Sequence, residues 1–304
     1  MRVLIVGAGV IGTVYGAHLA SGGHSVSVLG HGRRTSEIAG AGLVATDVMK
    51  RTQSRSPVNV VSDAGSDRYD LVIVAVRREQ LAAALNDVRS LVERPALVFF
   101  GNNPEGRAAV PSHLPGDVFL GFPGIGGSMV DGVAEYVLIP QQPTNFESTT
   151  DSRLIEIMET LRGRGFAVHS EKDMDGWLVY HAVFVSCVAA ALYRCGTDPL
   201  RLAGDRPTLE LMCRAVTQGF AALRMQGVGG LPRNLGVLHS PLLRPFAVGY
   251  WSRTLRSPMG ELCFAAHARH AEVEMRLLGE DVIDRIGSTS DTGGLRALLR
   301  RDRG

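Results

Sequence analysis

Lysine is almost missing from this 304-residue chain: among 32 basic side chains only Lys50 and Lys172 are lysines. Any chemistry that needs an ammonium group has almost nowhere to find one. Cysteine is scarce too, at four residues (Cys187, Cys195, Cys213, Cys263), with neither C-x-x-C nor a partnering His-x-x-x-His spacing. That pattern argues against a disulfide framework or a zinc site, and reads as reduced core thiols of a cytoplasmic protein with no metal. Charge is nearly balanced at +2, so no affinity for nucleic acid or membrane is expected. A membrane-length apolar run is lacking as well. The most apolar stretch, residues 177–193, is broken by His181 and Ser186 and falls short of the ~20 residues a span requires. It reads as a buried core helix. The first strand pattern opens the chain, so no leader segment is expected. What remains is 45% hydrophobic and 20% charged, the balance of a soluble globular protein. The length exceeds the roughly 250–300 residues at which single cores stop growing, so two domains are expected, 1–171 and 172–304.

The most informative stretch is the first, MRVLIVGAGVIGTVYG. Residues 3–6 form an unbroken apolar run, the pattern of a strand buried on both faces. Gly7, Gly9 and Gly12 follow as G-x-G-x-x-G, and residues 13–21 then read as a helix. In such a turn one glycine permits the bend, one lets a diphosphate approach bare backbone, and one lets helix and strand pack closely. Residues 7–12 (Gly7, Ala8, Gly9, Val10, Ile11, Gly12) are therefore the candidate diphosphate cradle, at the positive end of a helix dipole. A second strand, 25–29, ends in Gly30-His31-Gly32-Arg33-Arg34-Thr35-Ser36, with no acid before Glu37. An NAD-type site usually places a carboxylate there for the ribose 2′-hydroxyl. The paired guanidiniums of Arg33 and Arg34 would instead bind a 2′-phosphate, so NADP(H) is the expected cofactor.

Further strands are expected at 70–76, followed by Arg77 and Arg78, and at 95–100, followed by Gly101-Asn102-Asn103-Pro104-Glu105-Gly106. Cofactors bind beyond the carboxyl ends of parallel strands, which makes Arg77 and Asn102 candidate contacts; for Asn102 a plain turn is an equal reading. A short extended piece covers 58–62. Residues 118–121 lead into a glycine-rich loop, 121–127, and 132–140 read as a returning edge strand. A helix at 152–162 and a strand at 166–169 end the alternation. From residue 173 the pattern is helical: 175–193, 207–226, 241–253 and 258–278, the last with Ser257 as N-cap and Gly279 as its stop. Residues 295–303 read as a short solvated basic helix. The fold class is α/β, a Rossmann-type doubly wound sheet followed by an all-α domain.

This plan resembles the ketopantoate reductase family, whose members reduce a small 2-keto acid with NADPH. GAGVIG with Gly16 is similar to the family's opening motif, and DLVIVAVR to its strand-then-basic motif, with Arg77 where a cofactor-contacting lysine is usual. FFGNNPEG resembles the family's Gln-Asn-Gly segment, which makes Asn102 the counterpart of an asparagine near nicotinamide and substrate. PMGELCFAAHARHAEVEM is similar to the segment carrying a substrate-site glutamate, which falls on Glu261. The resemblance also implies a helix with a tryptophan, a lysine two residues on, and asparagines four and eight beyond that lysine. Counting from Trp177, those positions hold Val179, Val183 and Cys187, an apolar face without the lysine that would polarise a carbonyl.

Three side chains are candidates for the missing proton donor. His181 titrates near neutrality but lies ~200° around the helix from Val179, where a core histidine is an alternative. Lys172 precedes the helix on a polar loop. Glu261, if buried without a cation, would be protonated and able to donate; its alternative is a first-turn acid on a helix dipole. The catalytic candidates are thus Glu261, Asn102 and His181. The implied function is reduction of a C=O or C=N bond in a small molecule, with ketopantoate itself in question. The alternatives are an NADP(H)-binding protein without hydride transfer and a neighbouring hydroxyacid or 6-phosphogluconate dehydrogenase. Apolar helices in the second half leave a homodimer open.

Overall fold

Residues 3–6 are buried and form most of β1 (Arg2–Val6), after which the chain turns at Gly7 into α1 (Val10–Ser21) and returns as β2 (Ser25–Leu29). The computed structural model describes residues 1–30, 32–287 and 291–300. Next come α2 (Arg33–Ala41), β3 (Leu43–Asp47), β4 (Thr52–Ser56), β5 (Asn59–Val61), β6 (Leu71–Val74), α3 (Leu81–Arg89) and β7 (Ala96–Phe100). They are followed by β8 (Asp117–Phe122), β9 (Ile125–Val130), β10 (Val133–Leu138), β11 (Thr144–Glu147), α4 (Ser152–Gly163) and β12 (Val168–Glu171). The chain divides into two compact units: Met1–Gly101 with Val110–Lys172, and Asn102–Ala109 with Asp173–Gly304.

The first unit holds an eight-stranded sheet in the order β12-β11-β8-β7-β6-β1-β2-β5. Every neighbouring pair is parallel except β8 with β11. From β1 the chain winds outward through β2 and β5 on one side, and through β6, β7 and β8 on the other. The strand order therefore reverses between β1 and β6, and a crevice at the carboxyl ends of such strands is where ligands of open α/β sheets bind. A second sheet, β4-β3-β10-β9, packs on α1. Helix α1 is accordingly buried on most of its circumference.

This second sheet departs from the expected loops. Residues 121–127 are not a loop throughout, because β8 ends at Phe122 and β9 begins at Ile125 to pair antiparallel with β10. The edge strand β4 (TQSRS) is polar and mostly exposed, and β9 (IGGSMV) has two glycines after Ile125, so neither shows the alternation by which a half-buried strand is recognised.

The second unit is helical: α5 (Met174–Arg194), α6 (Pro199–Gly204), α7 (Arg206–Met225), α8 (Arg233–Leu238), α9 (Arg244–Leu255), α10 (Ala266–His270), α11 (Glu272–Ile286) and α12 (Gly293–Leu299). Among the described residues α5 is the helix long and apolar enough to cross a membrane, yet 83% of its most apolar window is buried inside the fold. It is the central rod of the helical core. The expected single helix 258–278 is three pieces instead. Residues Gly260–Ala265 form a π-helical turn, α10 follows, and the backbone breaks at Ala271 (φ −125°) before α11. Ser257 is no N-cap, since its hydroxyl donates back to the Thr254 carbonyl at 2.6 Å. Gly279 is no stop either: it lies buried inside α11, which ends at Gly287 (φ +67°). Of the expected tail helix, residues 301–303 lie outside the described residues.

Candidate functional site

In the first unit the glycine turn joins β1 to α1. Gly7 adopts φ +104°, a conformation that side chains rarely tolerate. A methyl group at Gly12 would overlap the Gly7 carbonyl oxygen, so strand and helix meet backbone to backbone there. Gly9 differs: it is the N-cap of α1 at φ −74°, and a methyl group on it would meet nothing within 4 Å. No side chain among the described residues caps α1, so its first amides are available to a ligand. An open backbone face at an uncapped helix start, beside the strand where the sheet order reverses, fits the diphosphate of a dinucleotide.

Arg34 braces this turn. Its guanidinium donates to the Gly132 carbonyl at 2.9 Å, to Thr13 Oγ1 at 3.2 Å and to the Ala8 carbonyl at 3.4 Å. Arg33, by contrast, has a side chain 93% exposed and pairs only loosely with Glu37, Nε to Oε1 at 3.3 Å. Both follow β2, but Arg33 alone extends freely. Arg77 is exposed and opens a short 3-10 turn, its amide donating to Gln80 Oε1 at 3.2 Å. His31 lies outside the described residues.

The second unit gathers a different set. Asn102, two residues beyond the end of β7, donates from Nδ2 to Glu274 Oε1 at 3.0 Å. Glu274 is buried, at 7% exposure, near the start of α11. The other amide atom of Asn102, Oδ1, is buried and has no hydrogen-bond partner among the described residues. An acceptor hidden without a donor costs about 1–3 kcal/mol unless a ligand supplies one. The segment Asn102–Ala109 is pinned at its other end by Asp175 at the start of α5, whose Oδ1 accepts the Arg107 amide at 2.6 Å. Asn103 Nδ2 closes the turn onto the Gly106 carbonyl at 2.6 Å. Two carboxylates thus hold this short segment in place.

Of the two readings of Glu261, the buried, uncompensated carboxylate is excluded, and it stands as an acid in the first turn of its helical segment. It sits on the π-helical turn, 49% exposed, and forms an ion pair with Arg269. Val179, Val183 and Cys187 are all buried in the helical core, and Val183 packs against Gly219 of α7. Helix α5 is buried on nearly its whole circumference. His181 is also buried, stacked on the Trp177 ring at 4.9 Å and 10° and near Phe184. Burial, helped by the nearby charge of His267, lowers its pKa to about 3, so it is neutral at pH 7. Lys172 is exposed and precedes α5.

Sequence reading missed Glu274, although a signal exists. In α11 the buried residues Glu274, Met275, Leu278, Val282 and Ile286 form one stripe at helical spacing, and Glu274 is the acid inside it. A carboxylate on an otherwise apolar face is the informative observation.

Residues 3–128 match the family model described as ketopantoate reductase PanE/ApbA. No curated protein matches the chain. Solved structures share its fold at low identity. A 2-dehydropantoate 2-reductase from Geobacter metallireducens GS-15 superposes with a TM-score of 0.74 at 15% identity, covering 98% of this chain and 98% of that one. D-mandelate dehydrogenase, solved in complex with NADH, gives 0.72 at 15% identity over 98% and 96%. A PanE/ApbA family ketopantoate reductase from Ralstonia eutropha JMP134 gives 0.67 at 18% identity over 93% and 99%.

Proposed function

We propose that this chain, which carries the ketopantoate reductase PanE/ApbA domain over residues 3–128, is an NADPH-dependent reductase of a carbonyl or imine group in a small molecule. The observation that carries this reading is the glycine turn, where bare backbone at Gly9 and an uncapped α1 meet at the carboxyl end of β1. Residues 7–12 would hold the diphosphate, and Arg33, with Arg34 behind it, the 2′-phosphate. Bound there, a reduced nicotinamide supplies the hydride.

The proton is the protein's task. Helix α5 has no lysine, which passes the role of donor to Glu274. Glu274 is the group that would pass a proton to the oxygen or nitrogen that gains charge as the bond is reduced, while Asn102 fixes its carboxyl group from one side. Asn102 Oδ1, buried without a partner among the described residues, would accept a hydrogen bond from a substrate hydroxyl. The buried pair favours an enzyme over a protein that merely holds the nucleotide, since dinucleotide binding alone calls for no hidden carboxylate.

Fluorescence titration with NADPH and NADH, followed by NADPH oxidation against a panel of 2-keto acids (ketopantoate and phenylglyoxylate among them), ketones and imines, tests the reading. The expected results are at least tenfold preference for NADPH, lost in Arg33→Ala, and turnover with one substrate class. Equal affinities would overturn the 2′-phosphate assignment. NADPH binding with no oxidation by any of the panel would favour the binding-protein alternative.

A further inference from the structure

The helical unit contains a half-open pocket of about 480 Å³ lined by residues of α5, α7, α11 and the α12 end. That volume lies within the range of roughly 300–1,000 Å³ typical of small-molecule pockets. It involves none of the residues assigned to the reaction. Its apolar lining comes from Ala190, Met275, Leu298 and Leu299, and three arginines (Arg194, Arg276 and Arg300) also border it.

The charges around it are nearly matched. Glu272 is the one carboxylate among the lining residues, and Arg276 pairs with Glu280 at 2.7 Å. Three guanidiniums against two carboxylates leave a single positive charge in surplus. Arg194 is anchored by donating to the Ala297 carbonyl at the end of α12, so it offers a guanidinium held in position rather than a mobile one.

Gly279 supplies a second, independent observation. A glycine inside a helix is less stable than alanine there, and such a position calls for a reason. Steric exclusion is not that reason. A methyl group at Gly279 would meet only Leu299 Cδ2, at an ordinary 3.7 Å. Gly279 lines the pocket, and what its missing side chain provides is space there.

We propose that this pocket binds an amphipathic monocarboxylate, with an aliphatic body among Ala190, Met275, Leu298 and Leu299 and its carboxylate at the arginines. One surplus charge suits a monoanion better than a phosphate ester, and the mixed lining suits an amphiphile better than a purely apolar guest.

Isothermal titration of the full-length protein with decanoate, below its micelle concentration, tests this directly, with decan-1-ol and acetate as arms that keep only the chain or only the charge. Saturable one-to-one decanoate binding with a Kd below about 1 mM is expected, with the alcohol and acetate each at least tenfold weaker. Gly279→Leu, which fills the space, should weaken decanoate at least tenfold. The double variant Arg276→Ala/Arg300→Ala, whose changes fall on exposed side chains, should weaken it at least fivefold and decides the matter if Gly279→Leu fails to fold. No saturable binding, equal affinity for the alcohol, or decanoate affinity untouched by the arginine changes would overturn the proposal.

Discussion

The two units offer ligands different kinds of surface. In the sheet unit the candidate site is main chain: amides at the start of α1 and the bare face of Gly9, positioned by backbone packing at Gly7 and Gly12. In the helical unit it is side chain: an amide and a carboxylate from positions 172 residues apart. A main-chain site tolerates most side-chain changes but not added atoms at its glycines. A side-chain site can lose its chemistry through one functional group while its fold survives.

The largest effect should come from violating the first rule. Gly12→Ala places a methyl group on the Gly7 carbonyl oxygen, so helix and strand must separate; overpacking of this kind costs up to about 3 kcal/mol. Urea unfolding should show that loss, and an unchanged midpoint would mean that the close crossing is not needed. In the helical unit, Glu274→Gln keeps shape and burial but removes the acid. Turnover of whatever substrate the panel identifies should fall about 100-fold, the lower end of general acid contributions, with little change in NADPH affinity. Glu261→Gln, at an exposed ion pair, should stay within about threefold. The reverse ranking would return the proton to the π-helical turn.

The same contrast explains what the chain disclosed before its structure was known. Periodicity and glycine spacing report on backbone, so β1, α1, β2 and the long rod α5 could be read directly, together with the glycine turn that joins β1 to α1. Tertiary partnership leaves a weaker trace. The pairing of Asn102 with Glu274 depends on how a loop after β7 meets a helix beginning at residue 272. On α5 helical spacing gives only relative angles, and with the helix buried on nearly every side that spacing does not single out one face. The polar edge strand β4 and the glycine-bearing β9 were hidden because hydrogen-bonded partners, rather than their own side chains, make them strands.

Acid sharpens the comparison further. Burial lowers the pKa of His18 in the sheet unit to about 4, and in the helical unit that of His181 to about 3 and His239 to about 4. Each is depressed below the ordinary 6.5, so between those values the unfolded chain takes up protons that the folded one refuses. Stability is therefore fullest above about pH 6.5 and falls as pH drops toward 4, each histidine contributing at most about 1.4 kcal/mol per pH unit over that range. Both tryptophans belong to the helical unit, Trp177 stacked on His181 and Trp251 donating to His239 Nε2 at 3.3 Å. Tryptophan fluorescence should thus follow that unit alone while circular dichroism follows both. Unfolding midpoints that do not move between pH 7.5 and 5 would contradict the burial of these histidines.

The backbone cradle itself is tested most directly by NADPH titration of Gly9→Ala. The added methyl meets nothing in the protein and the backbone angle suits alanine, so the melting temperature should stay within about 2 °C. The methyl would nonetheless occupy the face assigned to the diphosphate, and affinity should fall at least thirtyfold. An unaltered fold with unaltered NADPH affinity would show that the nucleotide, if bound at all, is held somewhere else.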